Sequence, residues 1–174
     1  TNGSIYERAA PSWTRRGIDN QTATDIAVGD ESNELVWATD EYGRLWQYDG
    51  TTSWDYITSG ITGGIDATMD GTIWVVAGPY RYLYYKKVNY SWTYAVIYSM
   101  EDVGAHFPTA DGVSVWATRS TGIYQLQDGS WEKFEGEIYG SEPADTMYTA
   151  DAIHGGYKPW GLGGVGYHCL PVIV

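Results

Sequence analysis

The chain has 174 residues, with 22 acids against 10 bases and a formal net charge of −12. That balance argues against a polyphosphate-binding face, so no nucleic-acid partner is expected, and an anionic membrane surface is disfavoured for the same reason. No apolar run is long enough to span a membrane as a helix, so no membrane insertion is expected. Aromatics make up 16% of the residues, as 16 Tyr and 9 Trp with only 2 Phe, beside 22 Gly. This composition suits short, turn-linked strands with wide aromatic faces. No segment sustains a period of 3.6, so little helix is expected in what reads as a single domain over 1–174.

In chain order, residues 3–18, "GSIYERAAPSW" and onward, read as a hairpin. A fuller unit follows: "DIAV", "LVWAT", "RLWQY" and "WDYIT", four strands named A to D. "GIDATMD", "GTIWVVA" and "RYLYYKKV" repeat A to C before Trp92. "EDVGAHF", "VSVWATR", "TGIYQLQDG" and "WEKF" repeat all four. The chain closes on "TADAIHGG", "KPWGL" and the C-like "VGYHC", with "LPVIV" where D would fall. Two tryptophan series keep time. Trp13, Trp54, Trp92 and Trp131 recur at spacings of 41, 38 and 39 residues, and Trp37, Trp74, Trp116 and Trp160 run between them. Asp49-Gly50 and Asp128-Gly129 separate C from D; Asp70-Gly71 and Asp111-Gly112 separate A from B. Asp-Gly suits such turns because both residues tolerate positive φ.

Four short strands per roughly 39 residues is the count for one propeller blade. The expected fold is therefore all-β: a β-propeller of four-stranded antiparallel blades, about four or five of them, itself whole or part of a larger ring. Repeat boundaries fall near 1–18 (partial), 19–58, 59–97, 98–136 and 137–174. A lone blade leaves both faces bare, so most tryptophans are expected to pack between blades. Closure has three forms: a blade shared between the ends, five blades of which two are partial, or a segment of a longer propeller. The last two are favoured.

Residues 13 to 54, from Trp13 through "DIAVG", "VWATD" and "GRLWQY" to Trp54, resemble the tectonin repeat, a propeller unit of secreted lectins. Residues 92 to 131 resemble it less closely, and "ADGVSVWATRSTGIYQLQDGSWEKF" is similar to the regulatory-propeller repeat of bacterial sensor proteins. The chain departs from the tectonin pattern after the B-strand Trp. The family favours Gly-Val-Asn there, and this chain has Ala38-Thr39-Asp40, Val75-Val76-Ala77 and Ala117-Thr118-Arg119. The resemblance implies a propeller and, by extension, sugar recognition.

Among residues that could carry chemistry, Asp25, Asp66, Asp102 and Asp151 recur at strand A. If A is innermost, they form a repeated acidic rim on the central channel, or else accept backbone hydrogen bonds at turns, the favoured reading. His106, His154 and His168, with the single Cys169, give no zinc-type spacing, so no metal, no cofactor and no catalytic residue are expected. Cys169 reads as a small buried hydrophobe. Sugar binding needs flat rings with polar tips. The loop aromatics Tyr42, Tyr80, Tyr82, Tyr90, Tyr139 and Tyr157 are the candidate ligand-binding set, offered as several weak copies. Three of the four Asn head Asn-x-Ser/Thr sequons, at Asn2, Asn20 and Asn89, where chance would place fewer than one. They are read as N-glycosylation sites and as a sign of secretion. The expected function is a non-enzymatic extracellular module binding glycans or glycoproteins multivalently. The alternative is a structural or adhesive protein that self-associates through blade edges or terminal strands. A weaker third reading is a sensor or peptide-binding propeller within a larger protein.

Overall fold

The computed structural model describes residues 3–9, 11–18, 21–29, 35–109, 112–133, 150–154, 160–163 and 169–171. The described residues are all β, in antiparallel sheets with no helix. β1 (Tyr6–Ala9) and β2 (Ser12–Arg15) form a hairpin. β3 (Ala23–Val28), β4 (Val36–Asp40), β5 (Arg44–Tyr48) and β6 (Trp54–Ser59) form the first four-stranded sheet in simple order. β7 (Ile61–Ala67), β8 (Ile73–Ala77), β9 (Tyr82–Lys86) and the two-residue β10 (Thr93–Tyr94) form the second. β11 (Asp102–Thr109), β12 (Gly112–Arg119), β13 (Gly122–Gln127) and β14 (Ser130–Lys133) form the third. β15 (Ala150–His154), β16 (Trp160–Gly163) and β17 (Cys169–Pro171) form a three-stranded sheet. This is the meander of a β-propeller with about four blades. The third strand of the last sheet is Cys169–Pro171, not the expected "VGYHC": Leu162 pairs with Cys169 and Trp160 with Pro171, which draws "LP" into strand C.

First strands touch in succession, β3 to β7, β7 to β11 and β11 to β15, so strand A is the inner strand of each blade. The cores lie between blades because each four-stranded sheet carries buried apolar residues on both faces. On β8, Trp74 and Val76 face the third sheet and pack with Leu83, Met100, Val103, Val115 and Ala117. Ile73 and Val75, one residue out of phase, face the first sheet and pack with Trp37, Leu45, Ile61 and Ile65. The β1–β2 hairpin sits over the first sheet the same way, with Ile5 and Ile18 against Ala38, Tyr48 and Trp54. Period-2 alternation thus assigns each residue to one blade interface or the next.

The Asp-Gly turns do what their φ values require. Asp128 and Gly129 both have positive φ (49° and 81°), the conformation that joins β13 to β14 with the twist of a tight hairpin. At the β5–β6 turn Gly50 has φ 78°, and the Asp49 carboxylate accepts from the N–H groups of Thr51, Thr52 and Ser53 at 2.8–3.0 Å. Those bonds, Thr51 foremost, hold the Asp49 pKa at about 2.

Candidate functional site

The sequence-predicted residues divide on inspection. Tyr42 is exposed in the β4–β5 turn, with the Arg44 guanidinium 4.9 Å from its ring centroid. Tyr80, exposed in the β8–β9 turn, lies 5.7 Å from Tyr82. Tyr82 in turn meets Tyr84 and Tyr94 at 6.4 and 5.2 Å, a row of phenols along β9 and β10. Burial first, and then these neighbouring phenols, raise the Tyr94 pKa. Tyr90 is exposed at the β9–β10 turn. Tyr139 and Tyr157 lie outside the described residues, as do Asn2, Asn20 and His168. The side chains of His106, Asp151, His154 and Cys169 also lie outside them.

The repeated acids do not hold one equivalent rim position. Asp25 and Asp102 stand opposite Thr39 and Thr118, but Asp66 stands opposite Trp74, two residues further along its strand. A register shift between Ile61 and Ile65 moves it there. Asp25 and Asp66 reach across to the next blade. Asp25 Oδ2 accepts from Ile65 N at 2.9 Å, and Asp66 Oδ2 from Ala105 N at 2.8 Å. They link neighbouring inner strands. Among the described residues no three His, Cys, Asp or Glu converge as a metal site.

A site the sequence reading missed lies between the second and third sheets. Trp74 and Tyr85 are paired neighbours across β8 and β9, and their rings stack at 4.7 Å with a 30° tilt. Trp131 of β14 meets Trp74 edge-on at 6.4 Å and is fixed by its Nε1, which donates to the Ala95 carbonyl at 2.8 Å. These rings wall a cavity of about 360 Å³, whose polar lining is Thr68, Asp70, Thr72 and Lys87. The Asp70 carboxylate is held by the turn it closes: Oδ1 accepts from the Thr68 hydroxyl and from Thr72 N. Partial burial pulls its pKa up, but those bonds and the charge of Lys87 outweigh it, and Asp70 titrates below the ordinary range. The buried Trp74 Nε1 has no hydrogen-bond partner among the described residues. The cavity therefore offers stacked rings, an ionised carboxylate, an ammonium group and two hydroxyls.

Among the described residues this lining is not repeated in the first or third blade. The position of Tyr85, opposite the B-strand Trp, is Gln47 in the first blade and Gln125 in the third. Two residues on, Lys87 takes the place of Asp49 and Gln127. Those two departures from the repeat were the available signal. They are masked locally because Trp74 and Trp131 share their series with tryptophans that pack between sheets, such as Trp37 and Trp54, although Trp13 of the same series is exposed.

No family model and no curated protein matches the chain. Solved structures do. The chain is similar to virginiamycin B lyase from Staphylococcus aureus, at 14% identity and TM-score 0.65, over 99% of this chain and 60% of that one. It is also similar to YCF48, solved with a D1 peptide, at 13% identity and TM-score 0.55, over 97% of this chain and 58% of that one. The chain thus spans less than two thirds of either. At these identities the likeness establishes the propeller fold alone.

Proposed function

We propose that this propeller is a non-enzymatic carbohydrate-binding module that works outside the cell. The observation carrying this reading is the cavity between the second and third blades, where Trp74, Tyr85 and Trp131 stand beside Asp70, Lys87, Thr68 and Thr72. A pyranose presents an apolar face that stacks on such rings and a fringe of hydroxyls that pair with a carboxylate, an ammonium and alcohols. An Asp70 kept ionised suits a fixed acceptor better than a proton shuttle, whose pKa belongs near the working pH. The tectonin-like pattern of residues 13 to 54 supports the same direction, and the sequons support secretion. Glycans or glycoproteins are the partners on this reading. On this reading the second and third blades form the site, since Gln47 and Gln125 replace Tyr85 in the first and third blades.

Tyr85→Gln tests the reading by installing the residue its sister blades already carry. It should fold and lose binding on a glycan array. Trp131→Ala should weaken the best ligand by about 2 kcal/mol, roughly thirtyfold in Kd, by calorimetry. An array silent across broad glycan classes, or binding indifferent to both changes, overturns it. A second reading, self-association, is favoured by the partly exposed tyrosine row beside the short edge strand β10. It requires concentration-dependent oligomers in light scattering that soluble sugars leave unchanged.

A further inference from the structure

We infer that Asn89 is an N-glycosylation acceptor, and that the glycan it carries stands at the mouth of the cavity between the second and third blades. Asn89, Tyr90 and Ser91 form a sequon in the β9–β10 turn. Every residue from Lys87 to Ser91 is exposed. Asn89 has φ 63°, a left-handed conformation that Asn tolerates better than most side chains, and Tyr90 N donates to the Lys87 carbonyl at 3.1 Å. The sequon is thus presented on a closed, solvent-facing turn.

The turn is also seated against the cavity. A Cβ added at Gly71, beside Asp70, would come within 2.7 Å of Val88 Cγ2, so Val88 covers the Asp70 turn closely. Both ends of the sequon turn line the cavity, through Lys87 on one side and Tyr94 on the other. Modification transfers an oligosaccharide from a lipid-pyrophosphate donor. The Asn89 Nδ2–C1 bond forms, the sugar C1–O bond to phosphate breaks, and the lipid pyrophosphate leaves with the amide proton balancing its charge. A group of that bulk, rooted two residues from Lys87, restricts entry to the cavity. That second consequence rests on the carbohydrate reading; the modification does not.

The experiment is secretion of the full 174-residue chain from glycosylating eukaryotic cells behind a signal peptide, followed by tryptic mapping. Cleavage after Lys87 and Arg119 releases residues 88–119, which separates Asn89 from Asn2 and Asn20. The expected result is a glycan mass on that peptide, lost in Ser91→Ala and kept in Ser91→Thr, which also controls for folding and secretion. An unmodified 88–119 peptide in secreted chain overturns the inference. Glycan-array titration of wild type and Ser91→Ala from the same cells tests the gating: tighter binding by Ser91→Ala supports it, and equal binding overturns it while leaving the modification standing. No binding by either form refutes the carbohydrate reading instead.

Discussion

Asp40 shows how much one side chain can hold. Its side chain is fully buried, and its carboxylate accepts from Tyr42 N, Arg44 N, Arg44 Nε and Trp46 Nε1 at 2.7–3.1 Å. Burial alone would raise its pKa; the four donors outweigh burial and lower it. Replacing Asp40 with Ala leaves Arg44 and the indole N–H without their acceptor, so a loss of about 3 kcal/mol is expected in urea unfolding. Tyr42 loses its place in the same change, because the Arg44 beneath its ring is positioned by Asp40. Asp40, Asp49 and Asp70 all titrate below the ordinary carboxylate in the folded chain. The unfolded chain therefore binds protons first. Their stabilisation is fully present above pH about 4 and is lost as pH falls through their folded values, for Asp49 about 2. Urea midpoints should be flat from pH 7 to 5 and fall steeply between 4 and 2; a flat acid limb would contradict these assignments.

Among the elements, β7 brings two blades close backbone to backbone. A Cβ on Gly63 would lie 2.6 Å from the Glu101 carbonyl, and one on Gly64 would collide with the Asp102 carboxylate. Gly64 N donates to that same Glu101 oxygen at 3.2 Å. These glycines let the inner strands of the second and third blades meet backbone to backbone, with Asp66 reaching Ala105 further along. Gly64→Ala forces the strands apart and should cost about 1–3 kcal/mol by thermal or urea unfolding. The equivalent change at the half-buried turn residue Gly78 meets no atom within 4 Å, but its φ of 78° still penalises a side chain. The two variants separate crowding between blades from local backbone strain: only Gly64→Ala should also disturb the cavity beside the third blade.

For the whole molecule, repetition builds the fold and departure from repetition builds the site. The first and second blades each supply a Trp to the interface ahead, Trp37 and Trp74, yet among the described blades the second alone adds Tyr85 and Lys87. One ligand per chain is therefore expected in calorimetry, and a stoichiometry near the blade count would instead favour equivalent sites on every blade. The periodic pattern by itself determined the all-β class, the four strands of a blade, the Asp-Gly turns and the packing of repeated tryptophans, of which Trp37, Trp54, Trp74 and Trp116 are buried while Trp13 is exposed. These are legible because period-2 alternation and turn chemistry act within a few residues of chain. Only the tertiary structure decided that Asp25 and Asp66 tie one blade to the next. It alone also brought Thr68, Tyr85, Ala95 and Trp131 around one cavity. Those groups come from separate strands and turns of two blades, and what they share is set by how twisted sheets stack, which no local pattern encodes.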